Sequence, residues 1–324
     1  MPSGNVSLQE AVKHGDEQEL GTGLVETIIH ENPLIARMNW VPFEGEAMKH
    51  EAEGDLPNVQ FRNVNEGYTA DWAGDTEHYW GVAILGGEVK VDKFLENVVA
   101  NRRSIMKRQL KKKAKSNSLR FQYEVLNGTG SIASKGFKGL KNIVLEGFGQ
   151  TTGSAVGAQL SLQDVNGLDE AIDLFETTGK PDEMWISRPL KRKITDLARR
   201  TYSGVSLIDT GTDVFGNKVT VYDDIPMVHL GRGMDSTGAI VDMLPFTEDP
   251  GDAGLDTASI WFVKHGEDDF TGIAGKGGSF EAMTWGELES GPYFQARFEW
   301  YPGVAVLNKY SVVRLKGILT PTFV

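Results

Sequence analysis

Six histidines, at positions 14, 30, 50, 78, 229 and 265, are the side chains best suited to acid–base or metal chemistry near neutral pH. None makes a His-Glu-x-x-His pair, the spacing that sets two imidazoles on one helix face around a zinc ion. Two glycine-rich stretches with lysine, 128–135 and 272–278, lack the Gly-x-x-x-x-Gly-Lys-Ser/Thr order that wraps backbone N–H groups around a phosphate. The carboxylate pairs Asp223-Asp224 and Asp268-Asp269 lack the Asp-x-Asp-x-Asp-Gly spacing of a calcium loop, and adjacent carboxylates on a turn ordinarily cap or solvate it. In Gly153-Ser-Ala-Val-Gly157 the serine stands one position too early for a nucleophile elbow. The chain has no cysteine, so thiolate ligands and disulfides are excluded. The sequence therefore assigns no catalytic, cofactor-binding or metal-ligating residue, and the expectation is a protein that is not an enzyme.

The patterns that remain suit association. Lys111, Lys112, Lys113 and Lys115 form the sharpest charge cluster, in a run that starts at Lys107. On a helix, successive residues diverge by about 100°, so these lysines cannot all meet one partner. Three readings stay open: a solvated face behind Leu110 and Ala114, an acidic neighbouring subunit, or contact with nucleic acid. A second pattern is aromatic. Phe43, Phe61, Tyr68, Trp72, Tyr79 and Trp80 are dotted through an otherwise polar stretch, 42–87. They read as inter-subunit anchors, or as a small local cluster within that stretch.

The elements that must position these residues are unequal in length. Residues 88–127 read as one long amphipathic helix, with Asp92 as a candidate N-cap. Phe94, Leu95, Val98, Val99, Ile105, Met106, Leu110, Phe121 and Val125 form its stripe, and Asn127-Gly128 its stop. A helix of about 34 residues would be roughly 50 Å long. Before it, 59–64 and 79–85 read as two extended arms joined by a long loop. A two-stranded hairpin is marginal alone in water, so this one is expected to finish its burial on another subunit. Pro33 should begin or end an element. Residues 147–157 read as a hinge, 168–178 as a short helix, and 184–187 as a short buried strand. Pro189 opens a helix that continues to about 202. Residues 210–217 read as a turn-rich loop, 218–222, 225–230 and 259–263 as strands, and 249–256 as a surface loop. Segments 295–300, 304–306 and 311–315 read as one final antiparallel sheet. The fold class is α+β.

At 324 residues with 40% hydrophobic content, the chain can build a substantial core. Its net charge of -12 argues against general nucleic-acid binding. No apolar run approaches the roughly 18 residues of a membrane helix. The start, Met1-Pro-Ser-Gly-Asn-Val6, has neither the basic nor the apolar region of a signal peptide. An arm as polar as 1–22 is expected to be ordered only by neighbours.

The polar arm, extended hairpin, long helix ending in Asn-Gly and following Gly136-Phe-Lys-Gly-Leu140 turn occur in that order. The order resembles the major capsid proteins of tailed bacteriophages, the Hong Kong 97-like fold, over roughly 24–319. The resemblance implies an N-terminal arm and first helix at 1–41 and an extended loop at 42–87. It places a peripheral domain with its spine helix at 88–148, an axial domain at 149–285 and returning peripheral strands at 286–324. It implies pentamers and hexamers tiling an icosahedral head that encloses double-stranded DNA without sequence-specific binding. The implied partners are a separate scaffolding protein, a portal protein at one vertex and a decoration protein, with no membrane and no cofactor. The implied location is the virion, assembled in the host cytoplasm. Expected inter-subunit contacts are Phe61, Tyr68, Trp72, Tyr79, Trp80, Lys111, Lys112 and Lys115.

Some capsids of this family cross-link an extended-loop lysine to a neighbour's asparagine, with a glutamate as base. Here the positional equivalents would be Lys49, Asn308 and Glu299. Lys49 sits among Glu46, His50, Glu51 and Glu53, which should keep it protonated, so a non-covalent shell is expected. Two alternatives remain beside the capsid reading: an encapsulin-like compartment shell, and a soluble α+β enzyme with an unrecognised site.

Overall fold

A computed structural model describes residues 33–42, 44–45, 47–52, 56–72, 74–92, 94, 102–131, 135–163, 167–175, 179–201, 208–212, 218–251, 254, 256–275, 281–287 and 291–321. The side chains at 102–107, 201, 208–212, 218–219 and 281–287 lie outside the description. The polar arm and the expected apolar positions 95–106 of the long helix fall outside it too.

Helix α1 (Pro33–Arg37) starts at its proline and leads into strand β1 (Trp40–Pro42). Strands β2 (Ala47–Ala52) and β3 (Thr76–Gly81) pair antiparallel, with His50 opposite His78. Strand β4 (Leu85–Asp92) precedes the long helix α2 (Arg102–Asn127), which runs unbroken through Lys111. Helix α3 (Leu140–Leu145), strand β5 (Gln150–Ala158), helix α4 (Leu168–Asp173), strand β6 (Glu183–Trp185) and helix α5 (Arg188–Thr201) follow. Next come β7 (Ile208–Thr212), β8 (Lys218–Tyr222), β9 (Ile225–Val228), β10 (Arg232–Met234) and β11 (Ile240–Asp242). The chain ends through β12 (Thr257–Val263), β13 (Phe270–Ala274), β14 (Glu281–Glu287), β15 (Tyr293–Trp300), β16 (Pro302–Val306) and β17 (Val312–Leu319).

The organising layer is a mixed seven-stranded sheet in the order β5-β17-β12-β6-β9-β8-β7. Strand β12 is buried over its whole length, so both its faces meet apolar packing. Side chains alternate across a strand. Trp261 and Val263 therefore join the core shared with the long helix, while Ala258, Ile260 and Phe262 fill a second core with Leu168, Phe175, Leu190 and Ile194. The same alternation sends Trp185 to the first core and Met184 to the second.

Several sequence expectations are corrected. Residues 88–92 are strand, not helix: Val89 and Val91 are buried between Glu88 and Lys90, a period of two, and they pair with β15. The Asp92 carboxylate accepts the Phe94 backbone N–H at 2.7 Å, as an N-cap would. Residues 59–64 form no strand; the hairpin partner of β3 is 47–52. Residues 150–158 are not a hinge but an edge strand parallel to β17. Gly153 has φ of +112°, and a Cβ there would lie 2.2 Å from the Lys316 carbonyl. Glycine here permits close approach at an irregular strand pair. Residues 210–212 belong to strand β7. The three C-terminal strands exist but fall in three different sheets, with β4–β14, with β1–β13 and with β5–β12.

The turn after the long helix explains its own sequence. The chain folds back over the helix C-terminus, where carbonyls lack intrahelical donors. Gly128 N–H donates to the Glu124 carbonyl at 2.9 Å, and Gly139 N–H to the Gly128 carbonyl at 2.8 Å. The Asn142 amide also donates to the Gly128 carbonyl, at 2.7 Å. A Cβ on Gly139 would stand 2.4 Å from the Glu124 carbonyl oxygen, and one on Gly136 would stand 2.6 Å from its carboxylate. Phe137 inserts beside Phe121, which in turn meets Trp300 and Trp40 with ring centres 4.8 and 5.7 Å away. Gly139→Ala is expected to destabilise the fold by about 2 kcal/mol, because the methyl meets backbone. Gly67→Ala, which enters open space, should stay within about 0.5 kcal/mol. Chemical denaturation of the two variants checks this.

Candidate assembly surface

Residues 56–75 connect β2 to β3 without regular structure, held by local polar bonds. Asn58 N–H donates to Asp71 at 2.9 Å, Asn63 N–H to Glu66 at 2.8 Å, and Arg62 lies over the Tyr68 ring at 5.3 Å. No apolar layer lies beneath them. Phe61 is fully exposed, Trp72 is 85% exposed, Tyr68 is 69% exposed and Tyr79 is 61% exposed. Leu56, Val59, Val64 and Ile84 are exposed as well. Single exposed apolar residues are ordinary; a series of eight along one projecting segment marks a surface built to be covered.

Trp80 is different, and the expectation that it contacts a neighbouring subunit is corrected. It is 4% exposed and belongs to its own subunit's core, 5.3 Å from Phe148. Alternation along β3 explains the split: Tyr79 points outward while Trp80 and His78 turn toward the body. His78 stacks on Phe148 at 4.2 Å, and His50, opposite it, meets the same ring at 6.2 Å. The hairpin is thus seated by its base and free along its length. Only the alternation could have separated Trp80 from Tyr79 in the sequence.

Lys49 lies on the hairpin between Glu51 at 2.8 Å and Glu77 at 2.7 Å. Hydrogen bonds from Glu51 first, then Glu77, push its pKa up from the ordinary lysine value. The ammonium is the stable form, and an ammonium has no lone pair for attack. Glu51 was expected as a partner; Glu77, two residues from the facing position on β3, was not. Asn308 is also engaged: its amide donates to Asp269 at 3.3 Å and its oxygen accepts the Tyr310 N–H at 3.0 Å. Glu299 accepts the Tyr301 hydroxyl at 2.9 Å. The structure does not bring Lys49, Asn308 and Glu299 together by any of these contacts.

On α2, Leu110 and Ala114 are buried while Lys111, Lys112, Lys113 and Lys115 face outward. Among the described residues, Lys111 and Lys112 have no carboxylate within ion-pair distance. The apolar stripe continues through Phe121, Val125 and Leu126 but is interrupted by buried Asn117, Ser118, Gln122 and Glu124. These polar positions tie the helix to its surroundings. Gln122 donates to the Leu230 carbonyl, and Arg120 pairs with Glu124, whose carboxyl is pushed up by burial against the pull of Arg120.

Two buried acids that sequence reasoning missed lock the elements behind the hairpin. Glu248 accepts from Lys141 on α3, Arg314 on β17 (3.0 Å) and Ser259 on β12. Glu183 on β6 accepts from Arg37 on α1 (3.1 Å) and Trp185 Nε1 (3.0 Å). Breaking such a pair leaves an uncompensated buried charge, which typically costs about 3–5 kcal/mol. Among the described residues there is no cluster of metal-ligating side chains, and no helix is long and apolar enough to cross a membrane.

Fold comparison places this geometry among shell-forming proteins. The chain matches the holo-SrpI encapsulin complex from Synechococcus elongatus PCC 7942 with a TM-score of 0.60 at 15% identity, covering 90% of this chain and 89% of that one. It matches a chain of Mycobacterium phage Bobi with a TM-score of 0.53 at 10% identity, covering 92% and 91%. It matches the capsid of the empty GTA particle with a TM-score of 0.52 at 12% identity, covering 89% and 90%. No family model and no curated protein sequence matches. The chain has the Hong Kong 97-like capsid fold, an α+β architecture shared with phage capsids and encapsulins.

Two outcomes follow for the isolated subunit. Trp80→Ala should destabilise it by about 3–5 kcal/mol, the usual cost of emptying a large aromatic site. Trp72→Ala should leave it within about 0.5 kcal/mol. Denaturant melts of the subunit measure both. The second outcome concerns pH. Burial, then repulsion from His50 and Lys138, holds the His78 pKa below its ordinary value, with Glu146 opposing. The folded hairpin base therefore binds fewer protons than the unfolded chain. Its stability contribution is complete above about pH 6.5 and declines as the pH falls through the lowered value. His78→Gln should flatten that decline in melts taken across the window.

Proposed function

We propose that this chain is the major capsid protein of a tailed phage. On this reading it self-assembles into pentamers and hexamers of an icosahedral head that encloses double-stranded DNA. The observation that carries the reading is the row of large apolar side chains between 56 and 84 that their own subunit leaves in water. Phe61, Tyr68, Trp72 and Tyr79 are the anchors that a neighbour covers. Lys111, Lys112 and Lys115 offer the outer face of the spine helix to a neighbour's carboxylates. The chain works mechanically, not as an enzyme. The protonated Lys49 between two glutamates supports a shell held by non-covalent contacts. A separate scaffolding protein, a portal at one vertex and a decoration protein complete the assembly, formed in the host cytoplasm and retained in the virion.

A second reading keeps the shell and changes its contents: an encapsulin-like compartment loaded with protein. The TM-score of 0.60 to the Synechococcus elongatus encapsulin supports it. Electron microscopy of the expressed chain tests the common part, and nucleic-acid content of particles made during infection separates the two. Closed shells are expected from the wild type. Phe61→Ala with Trp72→Ala should abolish them while leaving a folded subunit, since interface aromatics typically contribute about 2 kcal/mol or more each. A double variant that still closes into shells would remove these side chains from the interface.

A further inference from the structure

The axial half holds a cavity of about 500 Å³ that the shell architecture does not use. It opens at the N-terminus of α5, between Ser187-Arg188-Pro189, the segment 229–232 and the segment 242–246. A helix N-terminus carries partial positive charge, and acidic residues in the first turn ordinarily offset it. Here the first turn has no acid and instead carries Arg188 and Lys191. Arg232 and His229 add to the same rim, and the one lining acid, Asp242, is already paired with Arg232 at 3.2 Å. Among the described residues Arg188 has no ion pair.

Ser187 supplies an independent sign of a missing ligand. It occupies the position that caps α5, and its carbonyl accepts the Lys191 N–H at 3.0 Å. A capping hydroxyl normally accepts an N–H two or three residues on. Two residues on is Pro189, which has no N–H. Ser187 is 7% exposed, lines the cavity, and its Oγ has no partner. A buried hydroxyl left without a partner is costly, and few occur in native structures. His229 is oriented by its Nδ1, 3.3 Å from the Ile186 carbonyl. Burial first, then repulsion from Arg188 and Lys191, holds its pKa low, which marks a rim short of negative charge. The walls behind these groups are apolar: Leu230, Leu244 and Phe246. The volume lies within the range of sites for small organic ligands and far exceeds a bare ion.

We propose that this cavity binds an organic oxyanion, with its carboxylate or phosphate head at Ser187, Arg188 and His229 and its apolar body against Leu230, Leu244 and Phe246. The head completes the Ser187 hydroxyl and the uncapped helix end, and the body displaces water from the apolar wall. Calorimetric titration of the full-length chain at constant ionic strength tests it with phenyl phosphate, phenylacetate, inorganic phosphate and neutral benzyl alcohol. One or both aromatic anions should bind at least about tenfold more tightly than benzyl alcohol, as a charge-assisted bond implies. The aromatic anion that binds more tightly identifies the head group, and phenyl phosphate should exceed inorganic phosphate. Arg188→Gln, at an exposed position, should weaken binding about tenfold without changing the unliganded melting temperature. Ser187→Ala should weaken it less, and Lys112→Gln, which removes the same charge from the spine helix, should not. Aromatic anions that bind no better than benzyl alcohol, or that bind Arg188→Gln and wild type equally, would overturn the proposal.

Discussion

Everything in this subunit is built outward from strand β12, the one long strand with packing on both faces. Its alternating side chains divide the interior into two cores that share a single sheet. Trp261 and Val263 face the layer carrying the long helix; Ile260 and Phe262 face the layer carrying α4 and α5. Two cores joined through one sheet cannot slide apart without breaking strand pairing. The buried acids reinforce that constraint at its margins, Glu248 tying α3 to β12 and β17, and Glu183 tying α1 to β6. The result is a stiff body with one feature that it does not bury, the hairpin and its connecting loop.

That contrast links structure to assembly. A protein that needed only to fold would not place Phe61 and Trp72 in water at the end of a segment with no core of its own. The hairpin base is fastened by Trp80 and His78 on Phe148, so the loop is projected from a fixed point. Local bonds such as Asn58 to Asp71 limit the ensemble of the loop without covering its apolar groups. Partial order of this kind lowers the entropic cost of ordering the loop at an interface. The exposed lysines of the spine helix extend the same logic to charge, with solvation in the subunit and carboxylates available in an assembly.

The sequence revealed elements whose periodicity is local and concealed those decided by partners far along the chain. The stripe Leu110, Phe121 and Val125 and the Asn-Gly stop were legible, as were the Pro33 and Pro189 helix starts. Val89 and Val91 were swept into the helix because an adjoining amphipathic segment masked a clear period of two. Glycines at 149, 153 and 157 looked like a hinge, since nothing local shows that Lys316 approaches within contact distance. Sheet membership of the last three strands depends on β1, β4 and β5, more than 130 residues earlier, and no short-range pattern encodes it. For the candidate surface, residue type was enough to find Phe61, Tyr68, Trp72 and Tyr79. Trp80 needed its strand parity, and Glu183 and Glu248 needed the fold itself.

Hydroxyl-radical footprinting of the aromatic side chains, in free subunits and in closed particles, addresses the central claim most directly. The account predicts strong oxidation of Phe61, Tyr68 and Trp72 in the subunit and several-fold protection on assembly, with Trp80 weakly oxidised in both states. Equal oxidation of Phe61 and Trp72 before and after closure would contradict it, because the apolar groups left open by the subunit would then remain open in the shell.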